Sequence, residues 1–307
     1  MPEMAILLGL HEGERYLRAQ LDSLALQTWT DWRLVVSDDS ATPQGRAIVE
    51  RFAARLGAGR VQVIDGPRQG AAQNYLHLFA NLPPGCRHVA LCDQDDVWMP
   101  GKLARAVAAL AAVPQDRPAA LFADRAVCDH GLAAPRRARP HARPPGFCNA
   151  LVQNVMPGNT IVLNAAAARL CAATATSATG IVAHDWWIYQ IVTGAGGVIL
   201  RDPGVAVLYR QHGANLVGAG LGPRAMAARA AAALMGRHRG WSGAHLRALS
   251  SVADRLTPEN RRVLAGFAAL RGAALVPRLR MFARLGLYRQ TRAGQAMLWL
   301  QALAGRI

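Results

Sequence analysis

The feature that most constrains the fold of this 307-residue chain is the alternation of short apolar runs with stretches of helical periodicity before residue 114. The apolar runs have the length of buried strands, and the stretches between them repeat apolar residues at the spacing of an amphipathic helix. Strands that alternate with helices form βα units around a mostly parallel sheet, so we predict an α/β fold. The predicted strands span residues 4–10, 32–37, 60–65 and 88–92, and the predicted helices span 14–26, 46–56, 70–80 and 101–113.

The remainder of the chain predicts a continuation of this domain and then a helical region. A stretch rich in Pro, Arg and Ala, 131–146, predicts a loop or a mobile flap. After Gly218 the composition changes to Ala-, Arg- and Leu-rich segments, so we predict a first domain over 1–218 and a helical extension over 219–307. Further strands are predicted at 155–164, 197–200 and 205–209, a helix at 182–193, and helix breaks at Gly236, Gly240, Pro258, Gly272, Pro277 and Gly286.

The net charge of +16 is concentrated in the predicted extension. Residues 221–307 contain 15 arginines against Asp254 and Glu259, a net charge of +13, whereas the first 220 residues carry +3. A basic region of this kind can bind an anionic membrane surface or nucleic acid, or form a solvated helical face. We favour the membrane surface among these three.

Cysteine usage and the N-terminal residues bear on the compartment. Five scattered cysteines without a CxxC pair predict neither a zinc site nor a disulfide framework, which fits a reducing cytoplasm. No basic segment precedes the first apolar run, so we expect no signal peptide. Because no apolar run reaches the ~18–20 residues that span a bilayer, we expect a cytoplasmic protein.

Two acidic clusters follow predicted strands. Asp38 and Asp39 come after the second strand, and the segment 93–96 (DQDD) comes after the fourth. Ligands of such sheets bind outside the carboxyl ends of the strands, and Mg²⁺ and Mn²⁺ prefer carboxylate oxygens combined with substrate phosphates. The clusters therefore predict a metal-dependent site for a phosphorylated ligand, with helix caps and turn-forming aspartates as the alternative.

Several further sequence signatures occur in a defined order with these clusters. They comprise the run 6–28, the strand with its acidic end at 35–40, Gly70 with Asn74, the segment 91–102 (LCDQDDVW with Pro100 and Lys102), His184–Trp187, and Tyr209–Asn215. Together they resemble family 2 glycosyltransferases of the GT-A fold, nearest the rhamnosyltransferase-like bacterial members. The resemblance covers residues 4–218 and implies a Rossmann-like, mostly parallel sheet flanked by helices.

The resemblance also implies which residues bind the donor and the metal. Asp95 and His212 would hold Mg²⁺ or Mn²⁺, although a lone histidine is often structural. Arg210 would contact the diphosphate, since a guanidinium can fork onto phosphate oxygens. The full set of implied donor-binding residues is Leu8, Glu12, Asp38, Asp39, Gly70, Asn74, Asp93, Gln94, Asp96 and Arg210.

Residue Asp185 resembles the catalytic base, which deprotonates the acceptor hydroxyl in an in-line, inverting displacement. The alternative role for Asp185 is a carboxylate at a helix N-terminus. The implied acceptor-binding residues are Asn159, Thr160, His184, Trp186 and Trp187, with a core position as the alternative for the two tryptophans. His11-Glu12 and Gln73 depart from the family pattern near the nucleotide, and the Q-x-x-R-W motif of processive synthases is absent.

We therefore expect transfer of one sugar from dTDP-rhamnose or a UDP-hexose to a glycan or polyprenyl-linked glycan, in surface polysaccharide biosynthesis. The basic extension would bind the cytoplasmic face of the inner membrane or pair two protomers into a homodimer. A nucleotidyltransferase is a rival, but it needs a Gly- and Lys/Arg-rich loop where residues 10–14 are acidic. A dinucleotide oxidoreductase would need GxGxxG there, and a nucleic-acid-binding protein leaves both acidic clusters unexplained.

Overall fold

A nine-stranded sheet forms the centre of the computed structural model, which describes residues 3–137, 142–212 and 237–307. The strands lie in the order β3-β2-β1-β4-β8-β6-β9-β5, with β7 paired to β6. Pairs β1–β2, β2–β3, β1–β4 and β6–β9 are parallel, which confirms the predicted α/β fold. The strands are β1 Met4–Leu10, β2 Trp32–Asp38, β3 Val61–Asp65, β4 His88–Cys92, β5 Val97–Trp98, β6 Ala119–Cys128, β7 Arg136–Arg137, β8 Val162–Asn164 and β9 Val198–Arg210.

Helices cover both faces of this sheet. They are α1 Glu14–Ala25, α2 Gln44–Leu56, α3 Ala71–Ala80, α4 Lys102–Leu110, α5 Phe147–Ala150, α6 Ala165–Thr174, α7 His184–Gly194, α8 Arg237–Ser251, α9 Pro258–Gly272, α10 Leu275–Leu285 and α11 Arg292–Leu303. Successive residues of β1 enter opposite cores, because side chains alternate across a strand. Leu7 packs with α3, α6 and α7, whereas Leu8 packs with α1, α2 and α4.

The register places the candidate site. Leu10 pairs with Asp38 and Leu8 pairs with Cys92, so β1, β2 and β4 end at one edge of the sheet. The loops that carry both acidic clusters leave from that edge, as the βα pattern predicts.

Helices α8–α11 share a core with the sheet domain. Leu249, Phe267 and Phe282 belong to the same buried cluster as Trp187 of α7. Asn260 donates to the backbone oxygens of Thr193 and Gly194 at 3.1 and 3.0 Å. The predicted boundary at residue 218 lies outside the described residues, so the division into 1–218 and 219–307 remains a prediction.

Several predicted elements differ from the structure. The strand predicted at 155–164 is reduced to β8, because Thr160 N–H donates to Pro157 O and closes a 3₁₀ turn at Gly158–Thr160. The strands predicted at 197–200 and 205–209 are one strand, β9, which continues past irregularities in its pairing with β6. Strand β6 itself was not predicted.

The predicted helix breaks were partly wrong. Gly240 lies inside α8, and Pro277 lies in the first turn of α10, where its missing N–H would have no intrahelical acceptor. Gly286 ends α10 with φ +64°, and Pro258 begins α9. Within the stretch 131–146, residues 136–137 pair with β6. Residues 138–141 and Gly236 lie outside the described residues.

Candidate active site

The loops after β1 and β4 are joined by the side chain of Gln94. Gln94 Oε1 accepts from His11 N–H and Gln94 Nε2 donates to His11 O, both at 2.8 Å. A Cβ on Gly13 would lie 2.3 Å from Gln94 Oε1, so this pairing requires glycine there. Gln94 therefore sets the spacing between two loops that border the site.

The side chain of Glu12 joins the loop after β1 to the loop after β2. Its carboxylate accepts from Thr42 Oγ1 and from Ala41 N–H, the latter at 2.8 Å, and these bonds lower the Glu12 pKa. Glu12 N–H donates to Ser40 Oγ at 3.1 Å. As a charged group on the exposed rim, Glu12 holds the loops together in this structure.

The acidic pair after β2 is fixed by hydrogen bonds. Asp38 Oδ2 accepts from Arg46 Nε at 3.0 Å, and Asp39 Oδ1 accepts from Arg68 N–H at 2.8 Å. A Cβ on Gly66 would lie 2.2 Å from Asp39 Oδ1, so the chain passes close to this carboxylate. Both aspartates are mostly buried at the edge where β2 ends.

The residues at the start of α3 approach the same edge. Gly70 precedes the helix with φ +86°, a conformation that favours glycine. Asn74 Nδ2 donates to Ser37 O at 3.1 Å, while Asn74 Oδ1 is buried without a hydrogen-bond partner among the described residues. Leu8 is fully buried, so the predicted donor contact there would have to use its backbone.

Asp93 begins the loop after β4 and lies beside two aromatic rings. Tyr75 Oη contacts Asp93 Oδ1 at 2.8 Å, and the Tyr75 ring stacks on His184 with centroids 3.7 Å apart. Burial and the charge of Asp95 raise the Asp93 pKa, and Asp185 adds to this effect. Asp93 therefore lies within electrostatic range of both the metal candidate and the candidate base.

The two predicted metal ligands meet. Asp95 Oδ2 lies 2.8 Å from His212 Nε2, and both side chains are largely shielded from solvent. Tyr16 flanks this pair, with its ring centroid 4.9 Å from that of His212 and 4.4 Å from Arg210 Cζ. Arg210 Nε donates to Asp95 O at 2.9 Å, which holds the backbone of the metal candidate.

This donor set fits a divalent cation that also binds a diphosphate. A carboxylate and an imidazole occupy two positions and leave others for phosphate oxygens and water. The described residues contain no cluster of three or more His, Cys, Asp or Glu that could enclose a metal.

Asp96 points into the protein. It is 0% exposed, and its oxygens accept from Arg210 N–H at 3.1 Å and from Asn159 Nδ2 at 2.5 Å. Lys102 Nζ donates to Asn159 O at 2.8 Å and lies 3.1 Å from the Trp98 ring centroid. Burial lowers the Lys102 pKa to about 7 and raises the Asp96 pKa. Asp96 therefore holds together its own loop, the end of β9 and the 3₁₀ turn at Gly158–Thr160.

The candidate base lies in the first turn of α7. Asp185 Oδ1 accepts from Trp186 N–H at 2.7 Å, and burial raises the Asp185 pKa, against the lowering effect of bonds from Trp186, Asn154 and Gly158. A Cβ on Gly158 would lie 3.3 Å from Asp185 Cβ and 2.9 Å from His184 Nε2. Glycine at this position therefore lets the 3₁₀ turn approach the start of α7.

The other acceptor-side residues differ in accessibility. Burial lowers the His184 pKa to about 4, so its imidazole is neutral at pH 7, and its Nε2 has no partner among the described residues. Asn159 and Thr160 are buried, with Thr160 Oγ1 bonded to Pro157 O. Trp187 is core, and Trp186 Nε1 donates to Ala150 O, so burial favours the core alternative for both rings.

Three residues of this site were not predicted to have a role. The Tyr16 ring contacts the metal candidate His212, and Tyr75 Oη donates to Asp93. Lys102 Nζ donates to Asn159 O. All three lie within or next to the sequence signatures, which is the only local signal of their importance. Residues Gly213 and Asn215 of the last signature lie outside the described residues.

A family model and two curated proteins match this chain. The model described as "Glycosyl transferase family 2" matches residues 7–168, more than half of the chain. EpsE of Bacillus subtilis (strain 168), which its name assigns to the glycosyltransferases, is 26% identical over 110 residues, 36% of this chain and 38% of that protein. Glycosyltransferase alr2836 of Nostoc sp. is 28% identical over 105 residues, 34% and 32% of the two chains. The chain thus spans about a third of the length of these relatives.

Solved structures share the architecture over nearly the whole chain. Mannosyltransferase PcManGT of Pyrobaculum calidifontis, in complex with GDP-Man and Mn²⁺, has a TM-score of 0.51 at 18% identity and is matched over 99% of this chain and 86% of its own. S. aureus TarS 1–349 has a TM-score of 0.54 at 14% identity, with 92% and 90% coverage. At such low identity these similarities establish the fold alone.

Proposed function

Since the chain belongs to glycosyl transferase family 2 and has the GT-A fold, we propose that it transfers one sugar from a nucleoside-diphosphate sugar to an acceptor hydroxyl with inversion. The observation that carries this proposal is the contact of Asp95 with His212 at 2.8 Å. Asp95 and Asp185 both lie close enough to Asp93 to raise its pKa, so the metal candidate and the candidate base belong to one site. Family membership favours sugar transfer over the nucleotidyltransferase and nucleic-acid-binding alternatives.

On the donor side, Asp38, Asp39 and Asn74 would bind the nucleoside. Carboxylate and amide groups can accept from a pyrimidine N3–H and from ribose hydroxyls. The unpartnered Asn74 Oδ1 supports this assignment, because a buried acceptor without a partner is costly unless a ligand supplies a donor. Gly70 leaves open space at the entrance of α3.

Asp95 and His212 would hold Mg²⁺ or Mn²⁺ together with the diphosphate, and Arg210 would contact a phosphate oxygen. The cation supplies positive charge that stabilises the leaving diphosphate. The chain's own contribution is to position both ligands, through the Arg210 bond to Asp95 O and the Tyr16 ring.

On the acceptor side, Asp185 would accept the proton of the attacking hydroxyl. Burial raises the Asp185 pKa, which makes the carboxylate a stronger base than an exposed aspartate. The neutral His184 would orient the acceptor through Nε2, whose buried nitrogen has no partner among the described residues. Asn159 and Thr160 would shape the wall beside it.

The donor is proposed to be dTDP-rhamnose or a UDP-hexose, and the acceptor a glycan or polyprenyl-linked glycan of surface polysaccharide biosynthesis. The neighbour PcManGT was solved with GDP-Man and TarS 1–349 with UDP, which supports nucleotide-sugar recognition as a class. We further propose that the cytoplasmic chain contacts the inner membrane through α8–α11, with a homodimer as the other use of these helices.

A donor screen tests the proposal. The purified full chain is incubated with dTDP-rhamnose, UDP-galactose, UDP-glucose or GDP-mannose, with Mg²⁺, Mn²⁺ or EDTA, and nucleoside diphosphate release is measured. We expect one donor to be consumed at least about tenfold faster than the rest, and only with a divalent cation. Release of pyrophosphate from a sugar phosphate and a nucleotide triphosphate, or EDTA-resistant turnover, would contradict the proposal.

A further inference from the structure

Five exposed apolar side chains lie at one end of helices α10 and α11. Their exposed fractions are between 40 and 56%. Soluble proteins expose single hydrophobic residues routinely, whereas a group of large apolar side chains indicates an interaction surface. We call this group the apolar patch: Leu275, Val276, Trp299, Leu300 and Leu303.

The two helices bring these side chains into one area. Arg278 Nη2, in the first turn of α10, donates to Leu303 O at 3.2 Å, at the end of α11. Trp299 packs edge-on against Phe282 with centroids 4.5 Å apart. The start of α10 and the end of α11 are therefore neighbours, which places the exposed side chains of the two helices on adjacent parts of the surface.

Each helix carries positive charge beside the apolar patch. Val276, Arg280 and Arg284 follow one another at four-residue spacing on α10 and are all exposed, so they share one stripe of the helix. On α11, Arg292 is exposed on the stripe that leads to Trp299 and Leu303. The patch thus has an arginine-bearing border on both helices.

Arginines at this end of the helical extension donate to backbone carbonyls. The partners of Arg278 include Ala273 O and Leu303 O, and those of Arg239 include Gly305 O and Arg271 O. Backbone carbonyls satisfy donors without neutralising a guanidinium. The described part of the extension, 237–307, has 13 arginines against two acidic residues, so the surroundings of the patch are strongly positive.

Charge and chemistry favour one kind of partner. A second copy of the chain would bring two strongly positive surfaces together, which opposes association. Nucleic acid would use the arginines but gains little from exposed Leu and Val side chains. An anionic lipid surface uses both, because apolar side chains enter the boundary of the acyl chains while arginines bind headgroup phosphates.

We propose that the apolar patch and its flanking arginines dock the chain on an anionic lipid surface. None of the described helices is long and apolar enough to cross a membrane. Trp299, Leu300 and Leu303 would enter the headgroup region, with Arg280 and Arg284 at phosphate level. The inference specifies the surface for the membrane contact in the proposed function, but lipid binding itself does not require sugar transfer.

Vesicle flotation tests this inference with the full chain. Vesicles contain phosphatidylcholine alone or with 30% phosphatidylglycerol, a composition chosen to supply anionic charge at about the level of a bacterial membrane. We expect recovery with anionic vesicles that falls as salt is raised, and little recovery with neutral ones. The triple variant Trp299→Ser, Leu300→Ser, Leu303→Ser should lose binding about tenfold or more. Leu26→Ser, which alters a 68% exposed leucine at the end of α1, should bind as the parent does.

Two double variants separate the contribution of apolar area from that of charge. Leu275→Ser with Val276→Ser removes apolar area without touching the Trp299–Phe282 contact, and Arg280→Gln with Arg284→Gln removes charge alone; both should weaken binding to anionic vesicles. Unchanged binding of the folded triple variant, equal binding to neutral vesicles, or loss of a dimer in sedimentation instead of lipid binding would overturn it. Donor turnover on a soluble acceptor is recorded for each variant and should be unchanged, so failure of the transfer proposal is seen separately.

Discussion

Asp95 and His212 are 117 residues apart in the chain, yet Asp95 Oδ2 and His212 Nε2 lie 2.8 Å from each other. The contact joins the loop after β4 to the residues that follow β9. It exists because β5, directly after Asp96, pairs antiparallel with the end of β9. The pairing of β5 with β9 thereby holds a carboxylate and an imidazole, the two proposed metal ligands, side by side.

The first prediction concerns His212. Replacing it with Ala removes one proposed ligand and leaves Asp95 in place, so affinity for Mn²⁺ in the presence of nucleoside diphosphate should fall about tenfold or more. Isothermal titration of the diphosphate at several Mn²⁺ concentrations measures this. His77→Ala, on α3 with its ring beside Asn81, is the matched control and should change nothing. Unchanged Mn²⁺ dependence in His212→Ala would restrict His212 to a structural role.

The second prediction concerns the pH dependence of transfer. Burial raises the Asp185 pKa, and the charge of Arg125 partly opposes this. A base works deprotonated, so kcat should fall as pH drops through this raised pKa, above the region of about 3.9 where an ordinary aspartate titrates. Arg125→Gln removes the stabilising charge and should move the acid limb to higher pH.

The kcat–pH profile on a soluble acceptor measures this shift. Arg18→Gln, an exposed arginine on α1, is the matched control. An acid limb that moves to lower pH in Arg125→Gln would have the wrong sign for Asp185 as the base.

The third prediction concerns the Gln94 bridge. Gly13→Ala would place a Cβ 2.3 Å from Gln94 Oε1 and so expel the amide from its two bonds to His11. We expect a raised KM for the donor, because both loops border the donor site, with a smaller effect on kcat. Gly240→Ala, where a Cβ has open space inside α8, should leave KM unchanged and stabilise the helix by up to about 1 kcal/mol.

The fourth prediction concerns stability at mildly acidic pH. His245 is fully buried, with Nδ1 2.8 Å from Gln190 Oε1 and with Nε2 accepting from Val182 N–H at 3.2 Å. Burial lowers its pKa to about 3 and that of His184 to about 4. Both histidines gain protons in the unfolded chain near pH 6.5 but not in the folded one. The two histidines should therefore lower the free energy of unfolding as pH drops from 7 to 5, against the opposite contribution of the buried aspartates, whose pKa values are raised.

Urea unfolding at pH 7, 6 and 5 checks this, and each histidine contributes at most about 1.4 kcal/mol per pH unit. His245→Asn keeps a donor near the Nδ1 position and cannot titrate. Its free energy of unfolding should therefore fall less as pH drops than that of the parent. The same slope in His245→Asn and the parent would mean that His245 does not contribute.

More of the fold than of the contacts in the site could be predicted from the sequence. Strands β1, β2 and β4 and the helices between them follow local periodicity, and parallel strands bring Asp38 and Asp93 to one edge. The Tyr75–Asp93 bond and the Lys102–Asn159 bond depend on packing between distant segments, which no local pattern encodes. The 3₁₀ turn at Gly158–Thr160 was missed because the apolar residues on both sides of it predict one continuous strand, whereas a local bond from Thr160 N–H to Pro157 O interrupts it.

The inward orientation of Asp96 has the same origin. Although Asp96 directly follows Asp95 in the chain, its carboxylate faces Asn159 and Arg210 because β9 and the 3₁₀ turn close over it. The sequence shows three acidic side chains in a row of four and cannot tell which of them reach the pocket. Burial in the folded chain distinguishes the two, because the Asp95 side chain is 19% exposed and Asp96 is fully buried.

The most direct test of the account compares Asp95→Ala with Asp185→Asn in one experiment that measures both donor binding and sugar transfer in Mn²⁺. Asp95 is proposed to hold the cation and Asp185 to accept the proton, so both variants should lose transfer by at least about a hundredfold. Only Asp95→Ala should lose metal-dependent donor binding, while Asp185→Asn binds the donor as the parent does. Full transfer by either folded variant, or loss of donor binding in Asp185→Asn alone, would contradict the account.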